Sequence, residues 1–390
     1  MTRILIAPDK FKGSLTSEEV AENIAKGLLD VLPGTTIDIV PMADGGEGTA
    51  NVISNALGGS WLKCKAHDPL GREVETRYGW IENQKLAVIE MSEAAGMRRL
   101  SENERDPLRA NTFGVGEMIL DAAKRGAHEM IIGLGGSATN DGGFGMARAL
   151  GFGFDCGHDH GHNGELVTEL VGLKRISFPS PSSSPAGRGG REAPGEGAIH
   201  FPTTAHALSL PKIIAAVDVQ NPLLGQNGAT RVFGPQKGAT ADKIDILERA
   251  LARLADVVSQ QFGVDYRNEP GAGAAGGLGF GLISFCGAEI RPGFDVVAEA
   301  IDLESKIKEA DFVITGEGSL DRQTLEGKTP AGVARLARRL GKRVFAIVGR
   351  ASEDRQPREM FDGVYELGGT IPEAAHLLQE RARQLAKSLQ

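Results

Sequence analysis

The chain has 390 residues, 41% of them hydrophobic and 24% charged, with a formal net charge of -8. That balance belongs to a globular enzyme long enough for two domains; it excludes a disordered chain, and the acidic charge argues against a nucleic-acid partner, which needs a basic face. Cys64, Cys156 and Cys286 are too few for a disulfide framework, the start lacks a signal-peptide pattern, and no stretch approaches the ~18 apolar residues of a membrane span. A cytoplasmic protein is expected. Glycine is the outlier: 53 residues is about twice the usual share of roughly 7%, and many of them fall in short runs that mark special loops.

The first sixty residues read strand, helix, strand, helix. An apolar run over residues 3–7 is followed by Asp9-Lys10-Phe11-Lys12-Gly13-Ser14. Thr16 with Glu19 then makes a capping box, and Val20, Ile24, Leu28 and Val31 recur behind it at helical spacing. A second short strand over 37–40 runs into Met42-Ala43-Asp44-Gly45-Gly46-Glu47-Gly48-Thr49 and another helix to about Leu57.

The middle of the chain has a different grammar. Hairpin-like stretches at 76–81 and 86–89 precede two strands, 130–132 and 213–217, that end in polar loops. Residues 180–197, rich in Ser, Pro and Gly, are expected to be a disordered surface insertion. The last hundred residues return to the opening pattern. A strand at 312–315 leads into Gly316-Glu317-Gly318-Ser319-Leu320-Asp321. A helix is expected with Thr329 as N-cap and Pro330 at its first position, ending at Gly341. A strand at 344–348 follows, and Thr370 with Glu373 opens a final helix. This alternation predicts an α/β fold: a parallel-sheet domain built from 1–60 plus 292–390, with a second mixed α/β domain, 61–291, inserted.

In an open parallel sheet, ligands bind beyond the carboxyl ends of the strands. That rule singles out the tracts 9–14, 44–49 and 317–321, each of which couples carboxylates to glycine, lysine or serine. Glycine lets backbone N–H groups approach an anion, and neighbouring carboxylates suit Mg²⁺ shared with phosphate oxygens. The competing reading is that Asp and Ser only cap helices and Gly only turns. The sharpest tract is Gly133-Leu134-Gly135-Gly136-Ser137-Ala138-Thr139-Asn140-Asp141-Gly142-Gly143, small residues and hydroxyls directly after a strand, as a phosphate cradle needs. It matches G-x-G-x-x-A only loosely, and no ribose-binding acid supports NAD. Gly271-Ala272-Gly273-Ala274-Ala275-Gly276 follows polar residues, so a dinucleotide reading fails there too. Gly327-Lys328-Thr329 is like the end of a Walker A loop, but Arg322 stands where its first glycine belongs. Asp218 follows the 213–217 strand, where an acid serves as metal ligand, base or turn former, and Lys237 lies in Phe233-Gly234-Pro235-Gln236-Lys237. Cys156, His158, His160 and His162 alternate like metal ligands, but the glycines around them favour a loose surface turn over a zinc site.

Together, tracts 8–15, 43–49, 135–143, 218–225, 233–239, 271–281 and 317–321 resemble the bacterial type-1 glycerate kinase family, in order along nearly the whole chain. The resemblance implies a flavodoxin-like domain with an insertion, and ATP- and Mg²⁺-dependent phosphorylation of D-glycerate, with 2-phosphoglycerate favoured over 3-phosphoglycerate. The alternatives are a kinase for another short hydroxy acid and a non-catalytic metabolite-binding protein. ATP and D-glycerate are the expected partners, with no nucleic acid or membrane, and a homodimer is admitted. Within that frame Gly135, Gly136, Ser137, Ala138 and Thr139 cradle ATP phosphates, with Asn140, Asp141 and Lys237 alongside. Asp44, Asp218 and Glu317 are the candidates for Mg²⁺. Lys10 and Lys12 neutralise phosphate or the substrate carboxylate, with Ser14, Gly45, Gly46, Ser319 and Asp321 as further contacts. Asp44, Lys10 and Asp218 form the catalytic set, Asp44 being preferred for orienting the attacking hydroxyl.

Overall fold

The computed structural model describes residues 2–157, 166–179, 210–322, 324, 328–352, 354–368 and 371–390. The expected 180–197 insertion, the histidines of the His-rich turn, Gly327 and the Thr370 half of the last capping box lie outside these residues. The chain divides into two compact units: Met1–Gly59 with Arg291–Gln390, and Ser60–Ile290.

The first of these, the outer unit, is built on a five-stranded parallel sheet. Its strands are Arg3–Ile6, Thr36–Ile39, Phe312–Thr315, Arg343–Val348 and Gly363–Glu366. Numbered in that order they lie 2-1-3-4-5, the flavodoxin-like arrangement, so the α/β class expected from the alternating pattern holds. The register pairs Ile4 with Phe312 and Ile6 with Ile314. The central strands are continuous apolar runs because both faces are covered. On one face Ile4, Ile6, Ile314, Phe345 and Ile347 pack against Val20, Ile24 and Leu28 of the Ser17–Leu29 helix and Leu378 and Leu385 of the Ala374–Ser388 helix. Thr16 and Glu19 form the expected capping box at the start of the first of these helices. One boundary differs: Lys328, not Thr329, is the N-cap of the Thr329–Arg339 helix. The Thr329 hydroxyl is freed from capping and turns to another partner, described below.

In the inserted unit six strands lie in the order Glu289–Pro292, Lys212–Val217, Glu129–Gly133, Leu86–Glu90, Glu73–Ile81 and Ser60–His67. Leu86–Glu90, Glu129–Gly133 and Lys212–Val217 pair in parallel, and Leu86–Glu90, Glu73–Ile81 and Ser60–His67 form an antiparallel meander. The long helix Ala241–Phe262 buries Leu247, Ala250, Leu251, Leu254 and Val258, spaced three and four apart, in the same core as Tyr78, Ile132, Phe144 and Phe280. Cys64, Cys156 and Cys286 are free thiols. Among the described residues no helix is long and apolar enough to cross a membrane.

Candidate active site

In a 2-1-3-4-5 sheet the switch point lies between the first and third strands, where consecutive connections leave in opposite directions and open a crevice at the carboxyl ends. Here those ends are Ile6 and Thr315, and a cavity of about 580 Å³ opens beyond them. Asp9, Lys10, Lys12, Ser14, Asp44, Glu317, Ser319, Lys328 and Arg350 are among its lining residues. The segment after the first strand is held on both sides: the Asp9 N–H donates to the Gly316 carbonyl at 2.8 Å, and the Met42 N–H to the Pro8 carbonyl at 2.9 Å. A tight turn follows, the Phe11 N–H reaching Leu15 O at 2.9 Å, with Gly13 supplying a φ of 76°. Exposed Lys12 and half-buried Ser14 sit on this turn. Lys10 donates its ammonium to the Glu47 carbonyl, which ties the turn to the glycine tract after the second strand.

Three buried carboxylates line the cavity. Asp9 accepts from its neighbour's N–H, Lys10, at 2.7 Å on Oδ1 and from the Thr329 hydroxyl at 2.7 Å on Oδ2. Asp44 accepts from the Gly46 N–H at 3.1 Å. Glu317 accepts from the Thr324 hydroxyl at 2.6 Å, while that hydroxyl takes the Asp321 N–H at 3.1 Å. Burial lifts the Asp9 carboxyl to about 6, helped by the Asp44 charge and opposed by the Thr329 and Lys10 hydrogen bonds. Burial likewise lifts Glu317 to about 7, the Thr324 bond and Lys328 pulling the other way. Both shifts show charge held out of water in one small volume, the condition a bound cation relieves. On the rim, Lys328 approaches Asp321 at 4.0 Å and Arg350 donates to the Ser319 hydroxyl at 3.1 Å.

The glycine-rich tract of the inserted unit is organised differently. Asp141 is fully buried and accepts from the Thr112 N–H (2.8 Å), the Thr112 hydroxyl (2.9 Å), and the Gly143 (3.1 Å) and Gly145 (3.0 Å) N–H groups. Three of these bonds fall on Oδ2 and one on Oδ1, so the carboxylate ties the loop to Thr112. Lys237 is buried and donates to the Thr139 carbonyl at 2.7 Å; burial drops its amine to about 7 despite the nearby Asp141. Asn140 donates to the Thr230 hydroxyl at 3.0 Å. The Ala138 N–H is committed to the Ala95 carbonyl, and the Gly142 N–H to that of Gly276. Gly135 and Gly136 stand farther out, Gly136 exposed with φ 70°. The later tract packs backbone to backbone on this loop. Residues 275–277 all take positive φ, and a Cβ on Gly276 would lie 1.9 Å from the Thr139 carbonyl oxygen. The second glycine run therefore serves close approach of two backbones, which no local spacing rule can show.

Of the expected residues, the outer unit gathers Lys10, Lys12, Ser14, Asp44, Glu317 and Ser319 around one cavity, with Gly45 and Gly46 buried beside Asp44. Asp218 stands exposed past the Lys212–Val217 strand of the inserted unit. Among the described residues no three His, Cys, Asp or Glu side chains are arranged to hold a metal on their own. Asp44 with Glu317 still fits Mg²⁺, which takes one or two carboxylates and completes its shell with water and phosphate oxygens. The sequence places Asp9 in the singled-out tract 9–14 without giving it a role of its own, and it reads Thr329 only as a helix cap. The available signals were the position of Asp9 two residues past Ala7, at the end of the first apolar run, and a hydroxyl at a helix start.

Comparison with known proteins gives a consistent result. The profile of the glycerate kinase family matches residues 4–390. The glycerate kinase of Halalkalibacterium halodurans is 39% identical over all of this chain and 94% of its own length. The glycerate 2-kinase of Escherichia coli is 40% identical over 90% of this chain and 86% of its own. A crystal structure of a Salmonella typhimurium LT2 protein named as a glycerate kinase 2 superposes with a TM-score of 0.80 at 36% identity, covering 100% of this chain and 98% of that one. With its sheet order, its cavity and these matches taken together, the chain belongs to the glycerate kinase family, a family of phosphotransferases.

Proposed function

We propose that the chain transfers the γ-phosphoryl group of ATP to a hydroxyl of D-glycerate, and that 2-phosphoglycerate is the favoured product. The observation that carries this reading is the cavity at the sheet's switch point, lined by buried carboxylates and by lysines, in a chain matched by the family profile over residues 4–390. The name of the Escherichia coli relative, a glycerate 2-kinase, supports the product assignment.

Phosphoryl transfer is mainly positioning and charge neutralisation. Lys12 and Lys328, on the cavity wall, attract the glycerate carboxylate, with Arg350 braced by Ser319 as a third cation. Lys10, anchored on the Glu47 carbonyl, lines the same cavity as Asp9 and Asp44. Asp44 and Glu317 are the residues that would hold Mg²⁺, which would supply neutralisation of phosphate charge. The outer glycines, Gly135 and Gly136, with Ser137 receive phosphate oxygens, while Asp141 and Lys237 fix the shape of that loop from behind. Free cysteines and an acidic net charge suit a cytoplasmic enzyme without a nucleic-acid partner.

The test is the purified protein with ATP, Mg²⁺ and D-glycerate, following ADP release and resolving the two phosphoglycerates. Expected is turnover giving 2-phosphoglycerate. A 3-phosphoglycerate product would overturn the product assignment alone. Turnover with a different short hydroxy acid and none with D-glycerate would overturn the substrate.

A further inference from the structure

We infer that Asp9 is the catalytic residue that receives the attacking hydroxyl of the substrate, and that Thr329 is the positioning residue that aims it. The inference rests on the kinase reading above and adds to it the acceptor of the hydroxyl proton.

Asp9 differs from the other two carboxylates of the cavity in how firmly it is held. Its N–H is bound to Gly316 O on one neighbouring segment, and the carbonyl before it takes the Met42 N–H from the other. Each carboxylate oxygen accepts one hydrogen bond, at 2.7 Å in both cases. Asp44 accepts the Gly46 N–H on Oδ1, and Glu317 accepts the Thr324 hydroxyl on Oε1. An ionised carboxylate offers about four lone-pair sites, so Asp9 keeps acceptor capacity on both oxygens while its plane is fixed. It is 8% exposed and lines the cavity. A fixed, water-poor carboxylate with a free lone pair is the group that can hold a hydroxyl in line for attack.

Thr329 supplies the second half of the arrangement. It is the first residue of an eleven-residue helix and is completely buried, yet its hydroxyl donates across 320 positions of sequence to Asp9 and makes no capping bond of its own helix. The preceding residue, Lys328, lines the same cavity. In the transfer step the glycerate hydroxyl oxygen forms a bond to the γ-phosphorus of ATP. The bond from that phosphorus to the β–γ bridging oxygen breaks, its electron pair leaving on ADP, and the hydroxyl proton passes to Asp9 and from there to water.

The experiment compares wild type with Asp9→Asn, Thr329→Val and Thr329→Ser in the full chain, measuring kcat and KM for D-glycerate together with thermal melting. Asp9→Asn is expected to lower kcat by about 100-fold or more, as removal of a positioned acid or base does, with KM changed less than about threefold. Thr329→Val, nearly isosteric, is expected to lower kcat about tenfold at unchanged KM, and Thr329→Ser to restore it to within about twofold. If Asp9→Asn does not fold, the Thr329 pair decides. An Asp9→Asn enzyme with more than a tenth of normal turnover, or Val and Ser variants that fall alike, would overturn the inference while wild-type turnover leaves the kinase reading standing; absence of wild-type turnover with D-glycerate overturns both.

Discussion

Asp9 in the outer unit and Asp141 in the inserted unit are both buried carboxylates lifted by desolvation, and they are spent differently. Asp141 answers four donors inside its own unit, two from Thr112 and one each from Gly143 and Gly145. Asp9 answers two and Glu317 one, and both line a cavity. The comparison teaches that burial alone does not mark a reacting group. Acceptor capacity left over at a cavity wall does, because a carboxylate whose lone pairs are filled by backbone N–H groups has nothing further to offer a substrate.

The sharpest way to break this comparison is Asp141→Ala. It leaves several buried donors without acceptors, so a loss of about 3 kcal/mol or more is expected in urea unfolding. A loss below about 1 kcal/mol would mean that Asp141 does not hold the loop. Next comes Gly276→Ala, whose methyl would sit 1.9 Å from Thr139 O at a φ of 71°. About 2–4 kcal/mol is expected, since backbone must move. Gly13→Ala, at φ 76° with nothing within 4 Å, isolates the left-handed strain and should lose only about 1–2 kcal/mol. Equal losses at the two glycines would remove the crowding argument. In the outer unit, Glu317→Gln keeps an oxygen for the Thr324 hydroxyl, so stability should move by less than about 1 kcal/mol while turnover falls at least about tenfold.

The smallest effect is on pH. Asp9 and Glu317 have folded values of about 6 and about 7, above those of the unfolded chain, so the native state binds more protons between roughly pH 4 and 7. Their contribution to stability is complete below about pH 4 and is lost as pH rises through 6 and 7. Melting temperature without ligands should therefore decline over that interval, and the decline should flatten in Asp9→Asn. An unchanged slope would remove the buried, strained anion from the picture.

Much of the outer unit was legible because local signals agreed with the final packing. The Thr16–Glu19 capping box, the periodicity of Val20, Ile24 and Leu28, and the apolar run after Thr2 each specify an element without help from distant residues. Asp44, Glu317 and Lys10 could be singled out because they follow predicted strands. What stayed hidden depends on partners far away in sequence. Thr329 reads as a cap, and only the fold brings its hydroxyl to Asp9. Lys237 reads as a lysine available to a nucleotide, yet its ammonium is buried and donates to the Thr139 carbonyl. The Ser60–His67 strand carries little local signal because its inward residues, Cys64 and Ala66, are small and its outward ones, Lys63 and Lys65, are charged.

The first strand of the outer sheet finds its neighbour across a long interval of chain, the Thr315 hydroxyl reaching the Ala7 carbonyl over 308 positions. On a ribosome adding about 5–20 residues per second, Arg3–Ile6 waits roughly 15–60 s before Phe312–Thr315 exists to pair with it. The contiguous Ser60–Ile290 unit is finished only 22 residues ahead of that strand, roughly 1–4 s earlier at the same rate. Until then the first strand has only Thr36–Ile39 to pair with, so the newborn chain carries one open strand edge and the apolar face of the Ser17–Leu29 helix for most of its synthesis.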